Sequence, residues 1–542
     1  MEGSVCPMIT PGYNIDRFNS RRSPVFARRA MLSASHPLAT LAGIRMMFRG
    51  GNAIDAAVAA AAVLGVVEPY QTGLGGDAFA LIYLATTREV RALNASGPAP
   101  AAARLEDYLA RGFTEVPKHS PYAWTVPGCV DGWCQMLEQH GRLPLAAVLE
   151  PAIQYAEEGF PVAPGAAASW AQSETRLRQH AESRRVLLID GHAPHPGDVL
   201  IQRDLGRTLR RLATGGRDEF YRGEIAERLV AYSRQQGGLL ALDDLAAYRA
   251  EWQRPIEVNY RGLRILECPP NGQGLAALIA LRLMSALDSD LRSIPRDSPE
   301  CLHLLIEAMK CGMAAAARHV ADPRFERVPV DELLSEKFRM GHPLDHPATS
   351  PRGVRADQAS NTVYLAVVDP EGNAVSFINS VYDDFGSGHT AEGLGFLMQN
   401  RGADFSLDPR HPNRLAPGKR PYHTIIPAMV LDGDALHTVF GVTGGFMQPQ
   451  GHLQVLVSLL DYSLDEQTAL DLPRFWWKEG RRVLVEDGFP PATYDRLGAW
   501  GHEIARQGHR GMGGGQIIRA WPERRVLVGA SEPRQDGCAM GF

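Results

Sequence analysis

The chain has 542 residues, is 45% hydrophobic and 22% charged, and carries a formal net charge of −5. That is the make-up of an ordinary globular chain, long enough to bury well over half of its unfolded surface. No basic block marks a nucleic-acid surface, no apolar run is long enough for a membrane helix, and the seven cysteines show neither a CxxC nor a metal spacing.

Residues 1–30 read as an irregular arm, with Arg17, Arg21, Arg22, Arg28 and Arg29 but no apolar segment of the signal-peptide kind. A cytoplasmic location with free, buried thiols is the default expectation. A helix is expected from about His36. Gly51-Asn52 separates it from a second, Ala53 to Val66, so rich in Ala and Val that it should be buried on nearly all sides. Tyr70 to Gly76 is a glycine-rich turn, and Ala78 to Ala85 with Val90 to Asn94 reads as a hairpin. Leu105 to about Ala250 is mostly helical by period, with breaks at Pro127-Gly128 and Pro164-Gly165. Leu263 to Cys268 is a short strand that runs through Pro269 to Gly274 into a helix, Leu275 to Leu287. A further helix covers His303 to Val320.

The composition shifts at Thr362. Short β-branched runs, Thr362 to Val368, Ala374 to Asn379, Ala428 to Leu431 and Thr438 to Val442, alternate with turns. One apolar helix, Leu453 to Leu460, lies among them, and strands at Val483–Val485, Gln516–Ala520 and Val526–Gly529 close the series. Helices early and strands late suggest layered sheets covered by helices.

Thr362 itself stands at a boundary. A polar, Pro-containing stretch from His342 to Asn361 runs up to it, and the apolar strand follows. A cut before Thr362 would start that strand with a free threonine, which carries a nucleophilic hydroxyl and a basic amine on one residue. That is the arrangement of N-terminal nucleophile hydrolases, which attack amide-like carbonyls. An α-amine has an ordinary pKa of about 7.7–8.0, so it can take the hydroxyl proton and return it to the leaving amine without a histidine or a metal.

Several motifs in order carry a family resemblance. Gly50-Gly51-Asn52-Ala53-Ile54-Asp55-Ala56-Ala57 and Thr72-Gly73-Leu74-Gly75-Gly76-Asp77 resemble the start of the γ-glutamyltranspeptidase family. Thr362 with Val367-Val368-Asp369 and Gly372-Asn373-Ala374-Val375 resembles its nucleophile strand. Phe385-Gly386-Ser387-Gly388, Asp404-Phe405-Ser406, Lys419-Arg420-Pro421, Thr443-Gly444-Gly445 and Gly529 to Arg534 follow in the family's order. One such motif alone would be weak; the ordered set is specific.

The resemblance implies an α+β fold, a four-layer αββα sandwich made as a proenzyme. It implies autocleavage between Asn361 and Thr362 into a large subunit, 1–361, and a small one, 362–542, which stay together as one globular unit. In that division 342–361 would be a flexible linker before the cut. The resemblance also implies roles: Thr362 as nucleophile, Gly444 and Gly445 as oxyanion hole, Ser380 as a hydroxyl beside the nucleophile, and Asp404 as the holder of a substrate α-ammonium.

The departures bear on substrate. The family's arginine clamp for the substrate α-carboxylate falls at Ser96, its paired serines at His423 and Thr424, its asparagine at Tyr382 and its glutamine at Arg401. A serine cannot supply a charged fork. Arg401 and His423 are expected to bind a carboxylate from another direction. These replacements resemble a side branch of amide hydrolases, including oxamate amidohydrolase and cephalosporin-type acylases. The expected activity is hydrolysis of a small carboxylate-bearing amide, oxamate-like or glutaryl/γ-glutamyl-like, with no cofactor and no metal. The alternatives are a γ-glutamyl transpeptidase or glutathione hydrolase with altered clamps, and an unprocessed binding homologue. The expected partners are the small amide and the two subunits of one precursor, not nucleic acid or membrane; a homodimer stays open. Gly511 to Gly515 lacks the ending of a phosphate loop, His303, His342 and His346 show no metal spacing, and Trp476-Trp477 reads as core.

Overall fold

A computed structural model describes residues 22–287, 291–339, 347–351 and 362–542. The Asn361 side of the expected cut, and most of the expected 342–361 linker, lie outside the described residues.

Two seven-stranded sheets organise the molecule. The first runs, in spatial order, Val25–Ala27, Val526–Ser531, Gly515–Trp521, Ala435–Val442, Ala428–Asp432, Leu263–Glu267 and Ile256–Tyr260. The second runs Cys538–Gly541, Met31–Ala34, Val363–Val368, Ala374–Ser380, Asp77–Leu84, Glu89–Ala95 and Glu251–Gln253. Neighbours in both are antiparallel.

The strand after Thr362 shows how the layers arise. Val363, Leu365 and Val367 pack with the helices Pro37–Phe48, Ala53–Val67 and Cys129–His140. Tyr364, Ala366 and Val368 point the other way, into a core shared with Leu266, Met429, Val439 and Ile518 of the first sheet. The outer face of the first sheet packs on Gly274–Ser285, Pro299–His319 and Met447–Leu460. Side chains alternate along a strand, so a strand buried on both faces reads as an unbroken apolar run. The result is the expected αββα sandwich.

The helix Ala53–Val67 is buried throughout except at Gly65. Its start is a capping box. Asn52 accepts from the backbone of Ile54 and Asp55, and Asp55 accepts from the Asn52 backbone. Asp369, in the turn after Val363–Val368, accepts from the Ala53 backbone at 3.0 Å, so this helix end is tied to the far end of that strand.

Some expectations change. Residues 25–27, read as part of an irregular arm, form an edge strand against Leu527 to Gly529. Glu251–Gln253 and Ile256–Tyr260 are edge strands of opposite sheets that charged, short sequences concealed. The helix expected at Leu453 begins at Met447, with only its N-cap Phe446 between it and Gly444-Gly445. Trp476 and Trp477 are buried in the strand Phe475–Glu479, as core.

Candidate active site

Thr362 is fully buried, one residue ahead of its strand. The antiparallel register pairs Val363 with Asn379, so Thr362 comes to lie beside Ser380. The Thr362 hydroxyl donates to Ser380 Oγ at 3.1 Å, and the Tyr382 N–H donates to the same oxygen at 2.8 Å. The serine thereby holds the threonine rotamer and begins the loop that carries Tyr382.

Gly444 and Gly445 follow the strand Ala435–Val442 of the opposite sheet. Gly441 lies against the Tyr364 ring, where an added Cβ would come within 2.5 Å of it, and the Ser376 hydroxyl donates to Phe440 O at 3.4 Å. The chain therefore runs past the Thr362 strand toward its beginning, and turns at Gly444 at that same end. Gly444 has φ +111° and Gly445 φ +61°. A Cβ on Gly444 would also meet Gly513 Cα at 3.2 Å. Their carbonyls accept from Met447 and Gln448 of the following helix, and Gln273 Nε2 donates to Gly445 O at 2.9 Å. Among the described residues their N–H groups donate to no protein acceptor. Two such backbone donors at a helix N-terminus favour negative charge.

The glycine-rich run Gly511 to Gly515 braces this turn. Thr443 and Gly514 exchange two bonds, Thr443 N to Gly514 O at 2.8 Å and Gly514 N to Thr443 Oγ1 at 3.1 Å. Arg474 donates to Met512 O and pairs with Glu532 at 2.9 Å, while Gly515 N donates to the same carboxylate. The C-terminal Ser531-Glu532-Pro533-Arg534 signature thus reaches the turn through a buried ion network, with Arg534 bonded to both Glu532 and Glu486.

On the other side sit Arg401, Asp404, Tyr382 and Thr424. Arg401 is wholly buried with its guanidinium 4.1 Å over the Tyr382 ring. Its Nη1 donates to Thr424 Oγ1 at 2.6 Å and to Asp404 Oδ2 at 3.3 Å. The Tyr382 hydroxyl donates to the other oxygen of Asp404. Tyr382 holds φ +79°, a backbone cost of about 1–3 kcal/mol for a residue with a side chain. That twist places its ring beneath the arginine. Burial raises the Asp404 carboxyl, and the Arg401 charge and the tyrosine hydroxyl pull it back. Burial and the Asp404 charge push the Tyr382 phenol well up.

His423 and Ser96 are turned away from this group. His423 Nδ1 accepts from Ile425 N at 3.3 Å, so Nε2 carries the proton and donates to Asp77 Oδ2 at 3.0 Å. Burial, then Arg401 and Arg420, hold the imidazole well below its ordinary pKa, and it stays neutral. No ring nitrogen is left for a substrate. Asp77, which sequence reasoning passed over as a motif residue, is the hub. Its Oδ1 accepts from Gly97 N at 3.0 Å, Gly128 N at 3.2 Å and Gln399 Nε2 at 2.9 Å. Burial lifts its carboxyl to about 7 against those bonds. Ser96 Oγ donates to Asn94 Oδ1 at 2.7 Å and accepts from Asn271, while its carbonyl accepts from Arg420 Nε at 3.0 Å. Where the family expectation put a clamp, there is a closed polar network.

A cavity of about 740 Å³ opens beside the Gly444 turn. Thr443, Gly444, Asp383, Gln71, Arg176 and Trp476 line part of it, whereas Thr362 and Arg401 do not. Of the lining residues, Gly444 belongs to the turn itself and Asp383 follows Tyr382 in the chain.

His303, which with His342 and His346 shows no metal spacing in the sequence, lies in a cluster with Glu307 and His502 that the fold brings together. His303 and Glu307 share a face of Pro299–His319, and His502 arrives from distant sequence, with its Nε2 2.8 Å from His303 Nδ1 and 4.0 Å from Glu307. The Lys310 ammonium, 2.8 Å from Glu307, already supplies the positive charge there.

The sequence model for Gamma-glutamyltranspeptidase matches residues 39–542. The chain is 37% identical over 532 residues to the glutathione hydrolase-like YwrD proenzyme of Bacillus subtilis, covering 96% of this chain and 99% of that protein. It is 37% identical to the oxamate amidohydrolase proenzyme of Klebsiella pneumoniae, covering 94% and 98%. The crystal structure of cephalosporin acylase from Bacillus halodurans superposes with a TM-score of 0.90 at 40% identity, covering 99% of both chains. With its four-layer sandwich and its ordered motifs, the chain belongs to the gamma-glutamyltranspeptidase family.

Proposed function

We propose that this protein is a self-processing amidohydrolase that uses Thr362 as an N-terminal nucleophile on a small, carboxylate-bearing amide. The observation that carries the reading is a pairing at one end of the sandwich. The Thr362 hydroxyl is fixed by Ser380, and the turn at the same end presents two backbone N–H groups without a protein acceptor among the described residues. The names of the relatives, proenzymes of an amidohydrolase and a glutathione hydrolase-like protein, agree with it.

In this reading the bond between Asn361 and Thr362 is cut with uptake of one water, giving subunits 1–361 and 362–542 that stay associated. The freed α-amine takes the Thr362 proton as Oγ attacks the substrate carbonyl. The Gly444 and Gly445 N–H groups receive the charge on the carbonyl oxygen. The tetrahedral intermediate collapses, the leaving nitrogen takes the proton from the α-amine, and an ester on Thr362 remains. Water then attacks that ester, giving its proton to the α-amine. The acyl group leaves as a carboxylic acid and Oγ is reprotonated. Arg401 holds the carboxylate of the acyl group, with Tyr382, Thr424 and Asp404 holding Arg401.

Retention of Asp404 favours the second reading, γ-glutamyl transfer. The test is release of ammonia or amine from oxamate, a glutaryl anilide, a γ-glutamyl anilide and glutathione by the matured protein, with and without a dipeptide acceptor. Hydrolysis with an acyl adduct on the chain that begins at Thr362 is expected. Rapid γ-glutamyl transfer to the dipeptide would replace this reading with the second.

A further inference from the structure

Arg401 has one edge in use and one edge open. Nη1 serves Thr424 and Asp404. Nε and Nη2, which form the adjacent edge of the guanidinium, are buried and bond to no acceptor among the described residues. A guanidinium edge with two parallel N–H groups matches a carboxylate in a bidentate pair. Leaving two charged donors buried and unpaired is costly, and a bound carboxylate removes that cost. Stacking on Tyr382 and the two Nη1 bonds fix the plane of the edge, so little freedom is lost on binding.

Asp404 is occupied in the complementary way. One oxygen accepts from the Tyr382 hydroxyl and the other from Arg401 Nη1 at 3.3 Å. A substrate ammonium at Asp404 would have to share oxygens that already take these donors and sit beside the Arg401 charge in a buried site. Like charges that close, in a place of low effective dielectric, repel strongly. The carboxylate that could hold an α-ammonium is thus neutralised from within the protein.

From the open edge of Arg401 and the doubly bonded Asp404, we propose that the acyl half of the substrate is a dicarboxylic monoamide without an α-ammonium group. The free carboxylate lies on Nε and Nη2 of Arg401, and Asp404 serves as a positioning residue for the arginine. Amides of α-amino dicarboxylic acids are rejected. This inference deepens the proposed function and rests on it for the placement of the acyl group.

The test is binding without turnover. Titration calorimetry on the matured two-chain protein compares glutarate with L-glutamate and succinate with L-aspartate, pairs that differ only in the ammonium group. Charge-assisted bonds of about 1.5–3 kcal/mol, at 1.4 kcal/mol per tenfold, set the expected preference at about tenfold or more for the desamino partner. Arg401→Gln combined with Tyr382→Asn, which frees Asp404, is expected to abolish that preference and to raise affinity for the amino acid. Far-UV circular dichroism and a retained two-chain pattern establish that the variant is folded. An amino acid that binds wild type as tightly as its desamino partner, or the absence of binding by any dicarboxylate, overturns the inference. Failure of the catalytic reading shows elsewhere, as the absence of an acyl adduct on Thr362, and leaves the binding preference to stand or fall by itself.

Discussion

The Thr362 hydroxyl donates to Ser380 Oγ at 3.1 Å across two neighbouring strands whose register is set by Val363 opposite Asn379. Ser380 also takes the Tyr382 N–H at 2.8 Å, so one oxygen links Thr362 to the loop that carries Tyr382 beneath Arg401. Ser380→Ala removes both bonds in a buried place and leaves two donors unmet, a cost of about 1–3 kcal/mol each. The half-time of chain cleavage and kcat should both worsen by about tenfold or more, read by electrophoresis and by product release. Ser380→Thr, which keeps the hydroxyl, should restore most of each.

Gly444 tolerates no side chain. Its φ of +111° and the 3.2 Å approach to Gly513 Cα both oppose a Cβ. Gly444→Ala should tilt the turn and misdirect the Gly444 and Gly445 N–H groups. Loss of one such donor typically costs about 10²–10³ in kcat. The expected signature is a fall in kcat with KM nearly unchanged.

Arg401→Lys keeps the charge and loses the fork. A lysine reaching Asp404 cannot also offer two parallel N–H groups. KM for a carboxylate-bearing amide should rise about 10- to 100-fold with kcat changed far less, the mark of lost ground-state binding. An equal fall in kcat at constant KM would place Arg401 in the chemistry instead of in recognition.

Glu68 gives a pH prediction independent of catalysis. It is buried beneath Ser35 and Tyr70, whose hydroxyls donate to it at 2.5 and 3.2 Å, and burial lifts its carboxyl to about 7. A folded pKa above the unfolded value means that its contribution is fully present below about 4.5 and is lost as pH rises through about 7. The amide introduced by Glu68→Gln does not titrate. The stability of that variant relative to wild type should therefore improve by about 3 kcal/mol between pH 4.5 and pH 8, seen as a Tm difference that shifts in the variant's favour. A difference independent of pH would show that Glu68 titrates normally.

The parts of this fold that were legible in sequence share one physical trait: local pattern decides them. Val363–Val368 is buried on both faces, so its apolar run is unbroken. Ala53–Val67 announces its start through Asn52 and Asp55. Where partners come from far away, the sequence is silent. His423 meets Asp77 across 346 positions, and only that contact shows that its ring is spoken for. The open edge of Arg401 depends on the φ of Tyr382 and on Thr424, neither of which a motif displays. Val25–Ala27 and Glu251–Gln253 are three-residue edge strands that carry no periodic signal.

The central claim is that Thr362 becomes the first residue of its own chain and then acts as nucleophile. Intact mass measured after incubation at neutral pH tests it most directly. The wild-type protein should separate under denaturing conditions into two chains, the smaller beginning at Thr362, and Thr362→Ala should remain a single chain of 542 residues. A wild-type chain that stays whole, or a Thr362→Ala chain that still divides after Asn361, would contradict the account.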